Sequence, residues 1–451
     1  MIHQPSGKSS MPRKIHLTTL GCSKNAYDSE ILLGQLSRAA VKIVDDPREA
    51  EAIIINTCGF ISPAKQESIE AILEAEKIKK TDPEKKIIVC GCLSQRYAPD
   101  LRRSIPAVDA YFGTEDYGNI LSFLKIPLKS APEFLYEQRV LTTPSHYAYL
   151  KISEGCNHTC AFCAIPGMRG PHRSRRKSAI LAEARQLVAR GVKELIIISQ
   201  DTTFYGIDLY KKQELISLLT DLEKIPGLRW IRLHYLYPTS FPAALIDFMA
   251  ASRKVVPYLD MPVQHISNRM LKIMRRGGKT DRIKRIFTEA REKIADLTLR
   301  TTLIVGHPGE TETDFRELVE FVREMRFERL GIFQYSHEEG TAAFSLNDLP
   351  EAVKRERYRE LMEVQREISL KNNERWINRA IEVVIDEVMT RQNLAMGRSA
   401  GDSPEIDNTV AVKIGEQATK PGEFITVQIQ DATEYELYGQ ISRNQIENRA
   451  S

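Results

Sequence analysis

Residues 147–167 read YAYLKISEGCNHTCAFCAIPG, an apolar, strand-forming run that opens into a loop carrying Cys156, Cys160 and Cys163 at separations of four and three. The strand-like run recurs: ELIIISQ (194–200), WIRLHYLYP (230–238), VVPYLDMPVQ (255–264), LTLRTTLIVG (297–306) and RLGIFQYS (329–336), with helical stretches between. Six such repeats predict a partial (β/α)6 barrel over 145–350, whose chemistry belongs at the C-terminal ends of its strands. The three cysteines follow directly on the first of those ends.

Upstream, residues 14–140 alternate strand-like KIHLTTLGC, AEAIIINTCGF and KKIIVCGCL with a helical pattern near 62–80, which predicts a small α/β domain with a parallel sheet. Downstream, a charged helical connector over 351–378 leads into AIEVVIDEV, NTVAVKI and EFITVQIQDATEYELYGQI, short strands that predict a small antiparallel β-barrel over 379–445. The chain is thus of the α/β class with an all-β terminal module.

Composition limits the rest. With 451 residues, 42% hydrophobic, 27% charged and a net charge of +4, the chain is an ordinary globular one with several domains. No run of eighteen apolar residues suggests a membrane span. The expectation is a cytoplasmic protein with no membrane partner. Residues 1–14 lack the apolar centre of a secretory signal and read as a lead-in, with Met11 an alternative to Met1 as the start. Seven cysteines, an odd number grouped at Gly-containing turns, suit metal ligation or redox chemistry better than a disulfide framework.

Three thiolates at one loop suggest a four-iron cubane with one iron left open to a reactant. A zinc site with His158 as fourth ligand is the competing reading, although closed tetrahedral sites draw on two separated ligand pairs. Cys22, Cys58 and Cys92 each end an apolar run at a turn, and strand ends of a parallel sheet gather at one edge, so these three are candidates for a second shared site. Buried structural thiols are the alternative. Cys90 has no place in the pattern and reads as a core residue.

CNHTCAFC after a barrel strand resembles the C-x3-C-x2-C loop of the radical S-adenosylmethionine enzymes. TTLGCSKNAYDSE, INTCGFISPAKQESIEAI and GCLSQRY resemble the N-terminal domain of the methylthiotransferases, and the likeness runs from Lys14 to about Ile441. It implies S-adenosylmethionine and two [4Fe-4S] clusters, one on Cys156, Cys160 and Cys163 and an auxiliary one on Cys22, Cys58 and Cys92. It also implies an electron donor such as flavodoxin or ferredoxin, and a sulfur donor.

Around the barrel loop, Phe162, Gln200, Asp201, Gln264, Gly306 and Glu310 are the expected cofactor-binding residues, placed at strand ends or beside the cysteines. Asp201 reads equally well as a helix cap, and Phe162 as core. Pro262, Pro308, Gly309 and Arg169 are further pocket candidates, and the basic run 172–177 reads as a solvated face.

Two substrate classes divide the family, an adenosine of transfer RNA and an aspartate of a small-subunit ribosomal protein. NTCGFI, ISQDTTFYG and GRSAGDSPEIDNTV resemble the ribosomal-protein branch, which implies insertion of sulfur and a methyl group at the β-carbon of that aspartate. The terminal barrel resembles a TRAM domain, yet residues 379–440 carry five basic against eleven acidic residues. Phosphate contacts favour a basic surface, so an acidic barrel suits a basic protein partner and leaves RNA contact open. Glu405, Asp407, Glu434 and Glu436 are its expected docking residues. A ribosome- or RNA-binding assembly factor with structural clusters remains the reading of a different class.

Overall fold

The computed structural model describes residues 12–127, 139–415 and 418–442; Met11 and the lead-in before it lie outside them, as do residues 443–445 of the expected terminal barrel. Contacts divide the chain into two compact units, the first comprising 1–142 with 164–170, and the second 143–163 with 171–451.

In the first unit β1 (Lys14–Thr19), β2 (Lys42–Ile43), β3 (Ala52–Thr57), β4 (Lys86–Gly91) and β5 (Ala110–Tyr111) form one parallel sheet in the order β2-β1-β3-β4-β5. The near-continuous apolar runs of β3 and β4 follow from burial on both faces, since every residue of β3 is buried. In this doubly wound order the connections reverse direction between β1 and β3, which opens a crevice at the carboxyl ends of those strands. Cys22 and Cys58 stand there, and Cys92 follows β4.

In the second unit β6 (Tyr147–Lys151) begins a six-stranded parallel sheet, and the short strands β7 (Ser153–Glu154) and β8 (Arg173–Ser174) form a separate antiparallel pair. The sheet continues through β9 (Glu194–Ile198), β10 (Trp230–Leu233), β11 (Val255–Asp260), β12 (Thr298–Val305) and β13 (Arg329–Gln334), in the order β13-β12-β11-β10-β9-β6. This is the partial β/α barrel expected from the six repeats.

The charged stretch after it forms the helix Glu351–Glu374, which packs against the barrel rather than spanning solvent: Gln365 and Asn372 donate to the Phe327 carbonyl, and Arg357 pairs with Glu310. The terminal module is a closed barrel of β14 (Ala380–Met389), β15 (Leu394–Ser399), β16 (Thr409–Lys413), β17 (Phe424–Ala432) and β18 (Glu436–Ile441). It is not wholly antiparallel. The connection from β16 to β17 lets the β17–β18 hairpin return so that β18 lies parallel to β16. Among the described residues no helix is long and apolar enough to cross a membrane.

The loop 400–408 between β15 and β16 seats against the N-terminal ends of the β/α strands. Arg329 pairs with Asp402 (2.5 Å), Arg300 with Asp407 (3.3 Å), and the Tyr258 hydroxyl donates to Asp407 (2.6 Å). Arg398 and Arg232 share the buried Glu194, both at 2.8 Å, and Asp386 takes His146 and Arg398. Much of the module's negative charge is therefore spent inside the unit. This corrects the docking expectation for Asp407, whose side chain is only 2% exposed, whereas Glu405 stays exposed while accepting from the Tyr147 hydroxyl. Changing Asp407 to Lys should destabilise the terminal barrel by about 3 kcal/mol, because it leaves buried cations unpaired. Amide hydrogen exchange over 380–441 should then speed up on the order of a hundredfold, at about 1.4 kcal/mol per factor of ten.

Candidate functional site

In the first unit two glycines let the cysteine turns close on one another. A Cβ on Gly21 (φ +90°) would lie 2.7 Å from Cys58 Cβ, and one on Gly59 would lie 2.9 Å from the backbone carbon of Cys92. Only glycine fits such approaches. Asn25 ties the turns together, donating to the carbonyls of Leu20 (2.8 Å) and Thr57 (3.0 Å), with its Oδ1 3.9 Å from Cys92 Sγ. Cys22 is exposed, whereas Cys58 and Cys92 are buried. Burial pushes the Cys92 thiol up to about 12 and raises that of Cys58, and Arg169 pulls both back.

Arg169 lies in this unit, with the segment 164–170, and not among the barrel pocket residues where the sequence suggested it. Its buried guanidinium donates to Asp28 (2.9 Å) and to Asn25 Oδ1 (2.6 Å), while Tyr117 donates to the other Asp28 oxygen (2.9 Å). Cys90, opposite Asn56 in the register, is a buried core thiol that burial raises to about 12.

In the second unit the loop after β7 carries the other triad. Cys160 is buried and Cys156 and Cys163 are half-buried. The loop is held at Ala161, whose N–H donates to the Met274 carbonyl and whose carbonyl accepts from Ala343, both at 2.7 Å. Burial pushes Cys156 up to about 11. Buried thiols of this kind become thiolates when a metal supplies the compensating positive charge. His158 is committed elsewhere: its Nε2 lies 2.7 Å from Asp201 Oδ2, and its ring stacks on Tyr237 at 3.7 Å. That commitment leaves the imidazole nitrogen facing Asp201 rather than turned to the cysteines as a fourth zinc ligand.

The expected pocket residues fall into two groups. Gln200, after β9, donates to Glu154 (2.6 Å), and its Oε1 is buried without a partner. Gln264, after β11, sits at φ +72° with a partnerless buried Oε1. A non-glycine residue held there is strained, as ligand-binding positions often are. Two orphaned acceptors at strand ends suit a ligand that donates hydrogen bonds.

The others support the loops. Asp201 caps the turn that follows it, accepting from Thr203 N (2.9 Å) and Phe204 N (3.2 Å), while its second oxygen holds His158. Glu310 accepts from Gly306 N (2.8 Å), His307 N (3.3 Å) and Arg357 (2.7 Å), so its oxygens are spent on its own turn and on the helix Glu351–Glu374. Gly306 (φ +75°) lies against Lys354, where a Cβ would meet Cγ at 2.4 Å. Phe162 packs edge-on to His307 and joins a small core with Ala161, Tyr335 and Ala343.

Sequence reading missed Tyr237 and Arg276, which meet at Cys160. The Tyr237 hydroxyl and Arg276 Nη1 each lie 3.6 Å from Cys160 Sγ.

Comparison with known proteins places each part of the chain. Residues 14–113 match the uncharacterized protein family UPF0004, residues 150–322 the radical SAM superfamily, and residues 377–441 the TRAM domain. The ribosomal protein uS12 methylthiotransferase RimO of Christiangramia forsetii is 48% identical over 434 residues, covering 96% of this chain and 95% of the relative. The protein of the same name from Aquifex aeolicus is 49% identical, covering 94% and 96%. Among solved structures, the radical S-adenosylmethionine methyltransferase TsrM from Kitasatospora setae shares the fold, with a TM-score of 0.53 at 13% identity over 71% of this chain and 72% of that one.

Proposed function

This chain belongs to the RimO family of ribosomal protein uS12 methylthiotransferases, within the radical S-adenosylmethionine superfamily, and we propose that it places a methylthio group on the β-carbon of an aspartate of uS12. The observation that carries the reading is the pair of cysteine triads, one at the strand ends of each unit.

In this reading Cys156, Cys160 and Cys163 hold one [4Fe-4S] cluster, and Cys22, Cys58 and Cys92 hold a second. Cluster and S-adenosylmethionine together supply a carbon radical able to take hydrogen from an unactivated carbon, which no acid or base of the chain can do. The chain's own residues bind, orient and shield. The free acceptors of Gln200 and Gln264 would receive hydrogen-bond donors of the bound S-adenosylmethionine. Phe162 covers the cluster loop, Asp201 fixes it through His158, and Glu310 with Gly306 shapes the turn after β12. In the first unit Arg169 offers a cation beside the second triad, where an anionic sulfur would be held.

The reaction takes electrons from a flavodoxin or ferredoxin and sulfur from a separate donor, in the cytoplasm. The basic substrate protein meets the acidic residues that remain outward on the terminal barrel, such as Glu387 and Asp431. In cells lacking this chain, mass spectrometry should find the uS12 aspartate wholly unmodified and the methylthioadenosine of transfer RNA intact. Loss of the transfer RNA modification with uS12 unaffected would overturn the reading.

A further inference from the structure

Seven arginines are buried among the described residues, and six of them have a carboxylate. Arg139 has Glu30, Arg169 has Asp28, Arg232 and Arg398 share Glu194, Arg329 has Asp402 and Arg357 has Glu310. Arg276 has none. Its Nη1 lies 3.6 Å from Cys160 Sγ, its Nη2 donates to the Pro262 carbonyl, its plane covers the Tyr237 ring at 4.0 Å, and its Nε has no acceptor. A guanidinium taken out of water costs several kcal/mol unless an anion meets it.

The fold aims it there deliberately. Arg275, Gly277 and Gly278 all have positive φ (+49°, +71° and +86°), so the backbone makes a tight loop around Arg276. That loop is tied to the cysteine loop by the bond from Ala161 to Met274. Tyr237 is stacked between His158 on one face and Arg276 on the other, and Asp201 holds His158. The arrangement fixes the guanidinium against the sulfur rather than letting it swing towards a carboxylate.

We propose that Arg276 is the built-in counter-cation of the barrel cluster, donating an N–H···S hydrogen bond to Cys160 and thereby raising the cluster's reduction potential. The inference rests on the assignment of that cluster to Cys156, Cys160 and Cys163. A cubane on three thiolates is a net anion, and it gains one further negative charge when a one-electron donor reduces it. A fixed cation and a hydrogen bond to the sulfur both favour the more negative form, which are recognised levers on iron–sulfur potentials. Arg276 is a positioning residue here, since it acts on the cluster through its ligand.

The test uses full-length protein with Cys22, Cys58 and Cys92 changed to Ala, reconstituted anaerobically so that the barrel cluster is read alone. Midpoints are taken from the electron paramagnetic resonance signal during titration with dithionite, in parallel with iron analysis. Arg276→Gln should lower the ratio of reduced to oxidised cluster at a fixed potential about tenfold, which is about 59 mV for one electron. Arg276→Lys, which keeps the charge and loses the planar fork, should fall between it and the parent. Should the Gln variant fail to hold iron, the Lys variant carries the test: a midpoint below the parent's supports the proposal, and one at or above it overturns the proposal. An unchanged midpoint in an iron-replete Gln variant also overturns it. Absence of iron from the Arg276 parent would instead refute the cluster assignment, so the two failures are distinguishable.

Discussion

Alanine at Cys156, Cys160 and Cys163 together should leave a folded protein with about half of its iron and no measurable cleavage of S-adenosylmethionine, a loss on the order of a thousandfold or more. The iron that remains belongs to the first unit, whose cysteines stand on a different sheet with its own core. Folding survives because the barrel's stability lies in buried strands and ion pairs elsewhere, while the loop itself is pinned through the backbone of Ala161. Iron and sulfide analysis beside 5′-deoxyadenosine assays reads both halves of the expectation. A folded variant without any iron would mean that the first unit holds no cluster of its own.

Alanine at Cys22, Cys58 and Cys92 should have the complementary effect. Methylthiolation of uS12 should fall to background, while slow reductive cleavage of S-adenosylmethionine continues, because the groups proposed to meet the cofactor stand at the ends of β9, β11 and β12 in the second unit. The size of the expected effect follows from chemistry: without a held sulfur there is no group to transfer, and no side chain substitutes for it. Loss of 5′-deoxyadenosine formation as well, with the barrel iron retained, would show that the two triads do not divide the work.

The parts visible in the sequence were those written in short range. Strand–helix repeats announce themselves by periodicity, and a cysteine at the end of an apolar run is a rare enough residue in a specific enough place to be read directly. Contacts distant in sequence were not visible. Arg276 meets Cys160 across 116 positions, and nothing in RRGG distinguishes the arginine that turns inward from its neighbour Arg275 except a backbone geometry that only the fold reveals. Glu310 reads as a cofactor-binding residue without sight of its partner, Arg357, which lies 47 positions on in the charged helix. Asp407 looked like surface because it lies in a polar loop, and that loop is buried against the barrel's arginines. Asp201 read equally as cap and as pocket residue, and its two oxygens divide between capping and fixing His158.

The seating of the loop 400–408 among Arg300, Arg329 and Tyr258 changes how a truncated protein would behave. A chain cut before Ala380 loses more than a terminal module: it loses the loop that covers the N-terminal ends of the β/α strands. Water would then enter from beneath, beside acidic and basic side chains whose partners had left with the missing segment. Such a shortened chain should therefore melt at a lower temperature than the full one, because Arg329 is left buried without its carboxylate, a defect of folding that an activity assay alone would record as one of catalysis.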